Sequence, residues 1–308
     1  MTKGEIPKRK LGSTGETVSL IGLGGNHIGR IDNEKESIRI IRTAVDNGIT
    51  FMDNSWDYFG GLSEVRMGKA LKDGYRNKVF LMTKIDGRDK KTAAAQIDES
   101  LRRLQTDRVD LMQFHEIIRM EGPDLVFADG GAWEAVTEAK KAGKILYVGF
   151  TGHKDPLIHT RMLDVAQSKG IRFDAVQMPI NIMDAQFRSF QAGLLPRLVE
   201  QEIGVLGMKS LGDGVILESN LVKPIECLHY AMTLPVSALI TGIDSMAILE
   251  QALEAARTFT PLTEEQISDI LSRTREASES GRYELFKTSA TFDATARNPN
   301  WLGAVGSM

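Results

Sequence analysis

The 308-residue chain carries 38 basic and 41 acidic residues, a formal charge of −3, with 42% hydrophobic and 26% charged side chains. That balance is expected of a soluble globular protein with a large core, and the lack of a basic block argues against nucleic acid or an anionic membrane as its main partner. Its single cysteine, Cys227, excludes an internal disulfide and any Cys-rich zinc or iron–sulfur site. The first ten residues, MTKGEIPKRK, are charged and show no apolar h-region, and no apolar run approaches a membrane span, so a cytoplasmic location is expected.

In chain order, KRKLGSTGETVSLIG reads as a short run, a Gly-containing turn and a second run, which predicts a hairpin before or around the first strand, VSLIGLG from Val18. Ile38, Ile41 and Val45 share a helix face that Gly48 ends. The second strand-like run is ITFMDNS from Ile49, followed by a helix near Ser63–Asp73, and the third is KVFLMTK from Lys78. Ala94, Ile97, Leu101 and Leu104 then repeat at helical spacing. RVDLMQFH from Arg108 follows, and the long connection IIRMEGPDLVFADGGA after it is expected to serve a site. The second half alternates in the same way. Its strands are ILYVGFTG from Ile145, FDAVQMPIN from Phe173, VLGMKSLG from Val205 and SALITGI from Ser237. Its helices lie near Trp133–Lys144, Pro156–Ser168, Arg188–Gln201, Pro224–Thr233 and Met246–Arg257.

Short apolar runs of this kind suit strands buried on both faces of a parallel sheet. Eight strands alternating with eight helices predict an α/β fold, a single (β/α)8 TIM barrel domain over residues 1–308. A doubly wound sheet fits the alternation too, but no G-x-G-x-x-G follows the first strand. After residue 258 an extension, about 259–308, is expected to pack on the barrel: an extra helix capped by Thr263, with Glu264 and Glu265 in its first turn, and a loop-rich tail.

Barrel chemistry sits at the C-terminal ends of the strands. Those ends read Asn26 and His27; Asp53 to Tyr58; Lys84 and Asp86; His115 and Glu116; Thr151 and His153; Gln177 and Asn181; Met208 and Lys209; Asp244 and Ser245. A lysine beside a phenol lowers the phenol's pKa from about 10, because the cation stabilises the phenolate. Asp53 can fix Lys84, and His115 can orient a carbonyl. The set describes a general acid aimed at a carbonyl oxygen. His27 and His153 stay open between site and structural roles, with His153 a candidate cap for the helix near Asp155.

FMDNSWDY, LMTK and DLMQFH together resemble the Asp, Tyr, Lys and His tetrad of the aldo-keto reductases, and the likeness runs from LIGLGG to ITGIDS. The resemblance implies reduction of an aldehyde or ketone by NADPH, with NADH possible, on a small-molecule carbonyl. Tyr58 is then the proton donor, Lys84 and Asp53 its tuners, and His115 the group that orients the carbonyl. It also implies Gln177 as the holder of the nicotinamide carboxamide, with Thr151 and Gly152 beside it. Met208 stands where many members have a stacking aromatic, and Lys209, Leu211 and Gly212 lie along the pyrophosphate. Gly242, Ser245 and Gln251 are the candidates at the eighth strand, where Asp244 would repel a 2′-phosphate or accept a 2′-hydroxyl. Asn26, Asp57 and Asp86 make the substrate pocket polar, which points to a sugar-like carbonyl.

Two other classes compete with this reading. One is a nicotinamide-binding regulatory subunit of the same fold. The other is a metal-dependent barrel hydrolase, disfavoured because no two metal ligands lie close together on one strand; no metal is expected. Nothing favours a monomer over a homo-oligomer.

Overall fold

The computed structural model describes residues 4–304. Eight parallel strands close into a barrel in sequence order: β1 Ile21–Gly24, β2 Phe51–Asp53, β3 Phe80–Ile85, β4 Val109–Phe114, β5 Ile145–Thr151, β6 Ala175–Pro179, β7 Gly204–Met208 and β8 Ala238–Gly242. The ring is shut by β8 pairing β1, with Gly242 opposite Gly24. Side chains alternate across each strand, so the barrel has two cores. Phe51, Phe80, Met82, Leu111, Leu206 and Ile240 fill the interior, whereas Met52, Leu81, Met112 and Val176 face the surrounding helices.

The run VSLIGLG divides. Thr17–Ser19 pairs antiparallel with Lys8–Lys10, and only Ile21–Gly24 enters the barrel. The break falls between Ser19 and Ile21, where the Ser19 hydroxyl donates to the Ile21 carbonyl and accepts from the backbone N–H groups of Thr50 and Phe51. The hairpin sends Leu11 and Val18 into the interior cluster, so it floors the barrel at the end opposite the site.

Three helices, Pro156–Ser168, Pro224–Thr233 and Met246–Arg257, lie where periodicity placed them. The helix expected over Arg188–Gln201 is two short pieces, Phe190–Gly193 and Leu195–Glu200, because Pro196 has no N–H for a continuous ladder. Ala93, not Ala94, joins Ile97, Leu101 and Leu104 in the core. No described helix is long and apolar enough to cross a membrane.

Beyond the eighth unit, Thr263 caps the helix Glu264–Ser278 and forms a reciprocal box with Gln266. The following segment is anchored by a buried ionic cluster. The Lys287 ammonium lies 2.6 Å from Asp184 Oδ1 and 3.0 Å from Glu284 Oε1, and also donates to the Phe187 carbonyl at 2.7 Å. All three ionic side chains are fully buried. Asn181, which lies on the loop after β6, donates to Glu284 at 3.0 Å, so its amide serves this anchor. Removing one partner of a buried ionic set leaves an uncompensated charge. Lys287→Met is expected to cost about 3–5 kcal/mol of unfolding free energy in urea titrations.

Candidate functional site

β2 ends at Asp53, and the chain turns through Asn54–Trp56 to reach Tyr58. The turn is held in left-handed backbone at Phe59 (φ 54°), Gly60 (φ 63°) and Gly61 (φ 87°). Two glycines adopt that region without cost. Phe59 does so with its ring packed on Gly29, where an added Cβ would come within 2.7 Å of it. The same turn sets the Tyr58 ring edge-on to His115, centroids 5.7 Å apart.

Lys84, at the end of β3, is 1% exposed. Its ammonium donates to Asp53 Oδ1, to the Asn54 carbonyl at 2.7 Å and to the Tyr58 hydroxyl at 3.1 Å. Those are all the protons it has. Tyr58 Oη therefore accepts from Lys84 and keeps its own proton for another partner. The lysine does not bring the phenol toward neutral pH, as the sequence led us to expect. Burial first, then the Asp53, Asp57, Glu116 and Asp86 carboxylates, hold the phenol well above its usual value.

His115 follows β4. Its Nδ1 lies 3.0 Å from Asp86 Oδ1, 3.3 Å from Asp57 Oδ1 and 3.3 Å from Ser55 Oγ. Burial alone would lower the ring's pKa, but the two carboxylates outweigh it and raise it to about 10. Asp57 is held below its ordinary value: burial opposes this, and His115, Ser55 and Lys84 prevail. Asp86, pushed by burial and then by Asp57, rises to about 6. The ligand-type atoms of Asp57, Asp86 and His115 lie within 4.8 Å of one another, a convergence from three separate segments that spacing on one strand does not reveal. Hydrogen-bond distances from Nδ1 to both carboxylates account for the arrangement with a proton.

A cavity of about 350 Å³ opens at this point, within the range of small-molecule sites. Asn26, Asp57, Tyr58, Lys84, His115, Thr151, Gly152, Met208 and Lys209 line it, and His27 and His153 do as well. Asp86 does not. It is fully buried behind His115, away from the space assigned to it as a pocket residue. Gly152 is demanded by packing, since a Cβ there would come within 2.8 Å of His159 Cε1. His153 meets Asp293 at 3.1 Å, while Asp155 itself caps the next helix. The long connection IIRMEGPDLVFADGGA, expected to serve the site, contributes no residue to this cavity, whose lining there stops at Glu116.

A second cavity continues from the first, sharing His27, Arg30, Lys209 and Asp213. Leu211, Gly242, Asp244 and Gln251 line it. Gly212 and Ser245 line neither cavity: Gly212 turns the chain at φ 59°, and the Ser245 hydroxyl caps a helix by accepting from the Ile248 N–H at 3.3 Å. Asp213 meets His27 at 3.1 Å and Arg30 at 3.5 Å, and these contacts, His27 foremost, lower its carboxyl to about 2. Lys209 lies 4.2 Å from the Phe292 ring centroid, and burial lowers its ammonium to about 8.

Two buried polar atoms at adjacent strand ends lack a partner, Thr151 Oγ1 and Gln177 Oε1; the Gln177 amide N–H is turned to Asp53 Oδ2 at 3.4 Å. Buried polar groups are nearly always paired. A primary carboxamide, donor and acceptor in one plane, is a group these atoms fit.

The wall the sequence did not reveal comes from the tail. Thr291, Phe292, Ala294 and Arg297 line the first cavity. Glu116 fixes them: its carboxylate accepts from the backbone N–H groups of Ala294 (2.9 Å) and Thr295 (2.8 Å) and from the Thr295 hydroxyl (2.6 Å). An aperiodic segment gives no local signal for such docking.

A family model, described as the aldo/keto reductase family, matches residues 20–227. The chain is 32% identical over 233 residues to an L-galactose dehydrogenase of Arabidopsis thaliana, covering 71% of this chain and 69% of that protein. It is 28% identical over 234 residues to an uncharacterized oxidoreductase of Bacillus subtilis, covering 68% and 69%. Among solved structures, an aldo-keto reductase of Bacillus halodurans in its holo form superposes with a TM-score of 0.73 at 24% identity, covering 87% of this chain and 96% of that one.

The Glu116 contacts make a direct expectation. In Glu116→Ala, amide hydrogen exchange at Ala294 and Thr295 should accelerate by about tenfold or more, the equivalent of about 1.4 kcal/mol of local opening, with the barrel strands unchanged.

Proposed function

The chain belongs to the aldo/keto reductase family and is an oxidoreductase by type, and on that premise we infer that it reduces an aldehyde or ketone to an alcohol, with Tyr58 as general acid. The observation that carries this reading is the use of Lys84. With its donors committed to Asp53, Asn54 and Tyr58, the Tyr58 hydroxyl has one proton left to give, and Tyr58 lines the cavity. The raised phenol keeps that proton through neutral pH, which suits an acid that acts on a carbonyl oxygen.

A nicotinamide dinucleotide, when bound, supplies the hydride. Thr151 Oγ1 and Gln177 Oε1 are the atoms fitted to its carboxamide, Met208 offers a polarizable thioether to a ring face, and the groove past Lys209 accommodates the remainder. NADPH is the form the family resemblance implies. The second cavity carries Asp244 and Gln251, and Arg30 and Lys209, both shared with the first cavity, are its only Lys or Arg lining residues among the described residues. Asp244 therefore opposes a 2′-phosphate.

Polar lining favours a small polar carbonyl of sugar-like type. Asn26, Asp57, Glu116, His153 and Lys209 set polar groups around the cavity beside the apolar Phe59, Met208 and Phe292, and the Arabidopsis relative is, by its name, a dehydrogenase of a sugar. A purely regulatory role for the nicotinamide site is disfavoured because the acid, its lysine and its histidine are assembled together.

Tyr58→Phe should lower turnover of polar aldehydes by about 10²–10⁴-fold, the span for a lost general acid, with dinucleotide affinity unchanged by fluorescence titration; near-wild-type turnover would refute the assignment. In the same titration the wild type is expected to bind NADPH more tightly than NADH, and Asp244→Ala should improve NADPH binding alone. Tighter NADH binding by the wild type would reverse the cofactor choice.

A further inference from the structure

The imidazole of His115 meets only acceptors on its Nδ1 side. Asp86 Oδ1 and Asp57 Oδ1 are carboxylate oxygens. The Ser55 hydroxyl gives its proton to Asp57 Oδ1 at 2.5 Å and so turns a lone pair to the ring. An ionised carboxylate accepts and cannot donate. Nδ1 must therefore carry a proton. A neutral ring protonated at Nδ1 has a bare Nε2, which can accept a hydrogen bond from a substrate but cannot donate one. Only the imidazolium has a proton on both sides.

We propose that Asp57 and Asp86 are positioning residues that lock His115 as an imidazolium, so that its Nε2–H is a fixed hydrogen-bond donor to the substrate oxygen. The inference rests on the reductase reading above and goes beyond it, since it moves both aspartates from contacting the substrate to holding the histidine.

The surroundings are built for this. Asp86 is fully buried, and its second oxygen, Oδ2, has no partner, so among the described residues the His115 ring is the hydrogen-bond partner of this carboxylate. Arg88, itself buried, donates to the Asp86 carbonyl at 2.6 Å and also to the His115 carbonyl. One guanidinium thus ties the two main chains together and fixes the register between carboxylate and ring. The other charged or titratable groups around His115 are Tyr58 and Lys84 toward the cavity, Glu116 next in the chain, and His153 and Lys209 on the remaining wall. Glu116 is engaged by the tail, and Lys84 by Asp53. Tyr58 packs edge-on against the ring, and among the charged groups of the described residues only the Asp57 and Asp86 carboxylates lie within hydrogen-bonding distance of its nitrogens. The ring's high pKa and the depressed Asp57 agree with that geometry.

The proton balance follows. His115 passes no proton to the substrate. Its Nε2–H stabilises charge as it develops on the carbonyl oxygen, and Tyr58 delivers the proton that completes the alcohol.

The test is nitrogen-15 NMR of the His115 ring in the full-length protein, assigned by loss of the signal in His115→Gln. In the wild type both ring nitrogens should show imidazolium shifts from about pH 7 to about pH 9, a window in which an ordinary histidine, with a pKa near 6.5, is neutral. Asp86→Asn, and separately Asp57→Asn, should bring a His115 titration down into that window. With DL-glyceraldehyde as the probe carbonyl, kcat/KM of Asp86→Asn should then fall by about tenfold or more as the ring loses its proton, while the wild type stays level. A wild-type ring that titrates near 6.5 overturns the proposal, as do aspartate variants whose ring titrates like the wild type's. The NMR result stands whether or not glyceraldehyde is reduced, so failure of the reductase reading would show separately, as absence of wild-type turnover.

Discussion

A buried ammonium with three committed protons governs this site. Lys84 lies in a barrel mouth almost without solvent, where an unpaired cation would be strongly disfavoured. Asp53, the Asn54 carbonyl and the Tyr58 hydroxyl take one proton each. That single assignment fixes the direction of the tyrosine proton, ties the end of β2 to the end of β3, and gives the left-handed turn at Phe59–Gly61 something to hold against. Strain in a tight turn persists only where surrounding contacts over-determine it. Here the phenol's bond to Lys84 and the Phe59 ring on Gly29 supply those contacts from opposite sides.

The charges around the mouth are sorted locally. Asp53 faces Lys84, Asp57 and Asp86 face His115, Asp213 faces His27 and Arg30, Asp293 faces His153, and Glu116 faces backbone amides of the tail. Close pairs of this kind hold their geometry because each carboxylate has at least one partner at short range rather than only a diffuse field. The cavity between them is lined by polar and apolar groups alike, and each of the acids named has at least one partner.

Much of this was legible in the sequence, for identifiable reasons. Strand runs buried on both faces and helices with a clear apolar stripe announce themselves locally, so β3, β4 and the helix Pro156–Ser168 sit where periodicity put them. Asp53, Tyr58, Lys84 and His115 could be picked out because a barrel collects its strand ends at one mouth. What stayed hidden depends on tertiary contact. The division of VSLIGLG depends on what Ser19 bonds to, and the break before Pro196 depends on one absent N–H. Asp86 looked like a pocket residue because the family resemblance puts the second residue after the lysine in the pocket, but the ring of His115 stands between it and the cavity. Glu116 and Thr295 are separated by 179 positions, and no window of sequence could join them.

That separation bears on how the molecule reaches its working state. Neighbouring strands pair over short stretches of chain, and the barrel's sequence-ordered ring keeps most of its closures comparatively local. The wall of the first cavity is different, since Thr291–Arg297 must search across more than half of the chain to find Glu116. Contacts of such long range form slowly, after loop closure has been made cheap by what is already folded. The Asp53–Lys84–Tyr58 set, with Lys84 only 31 positions from Asp53, can therefore assemble before it. A folding molecule would pass through a stage with Tyr58 bound to Lys84 and the cavity lacking one wall, completed only when the tail arrives.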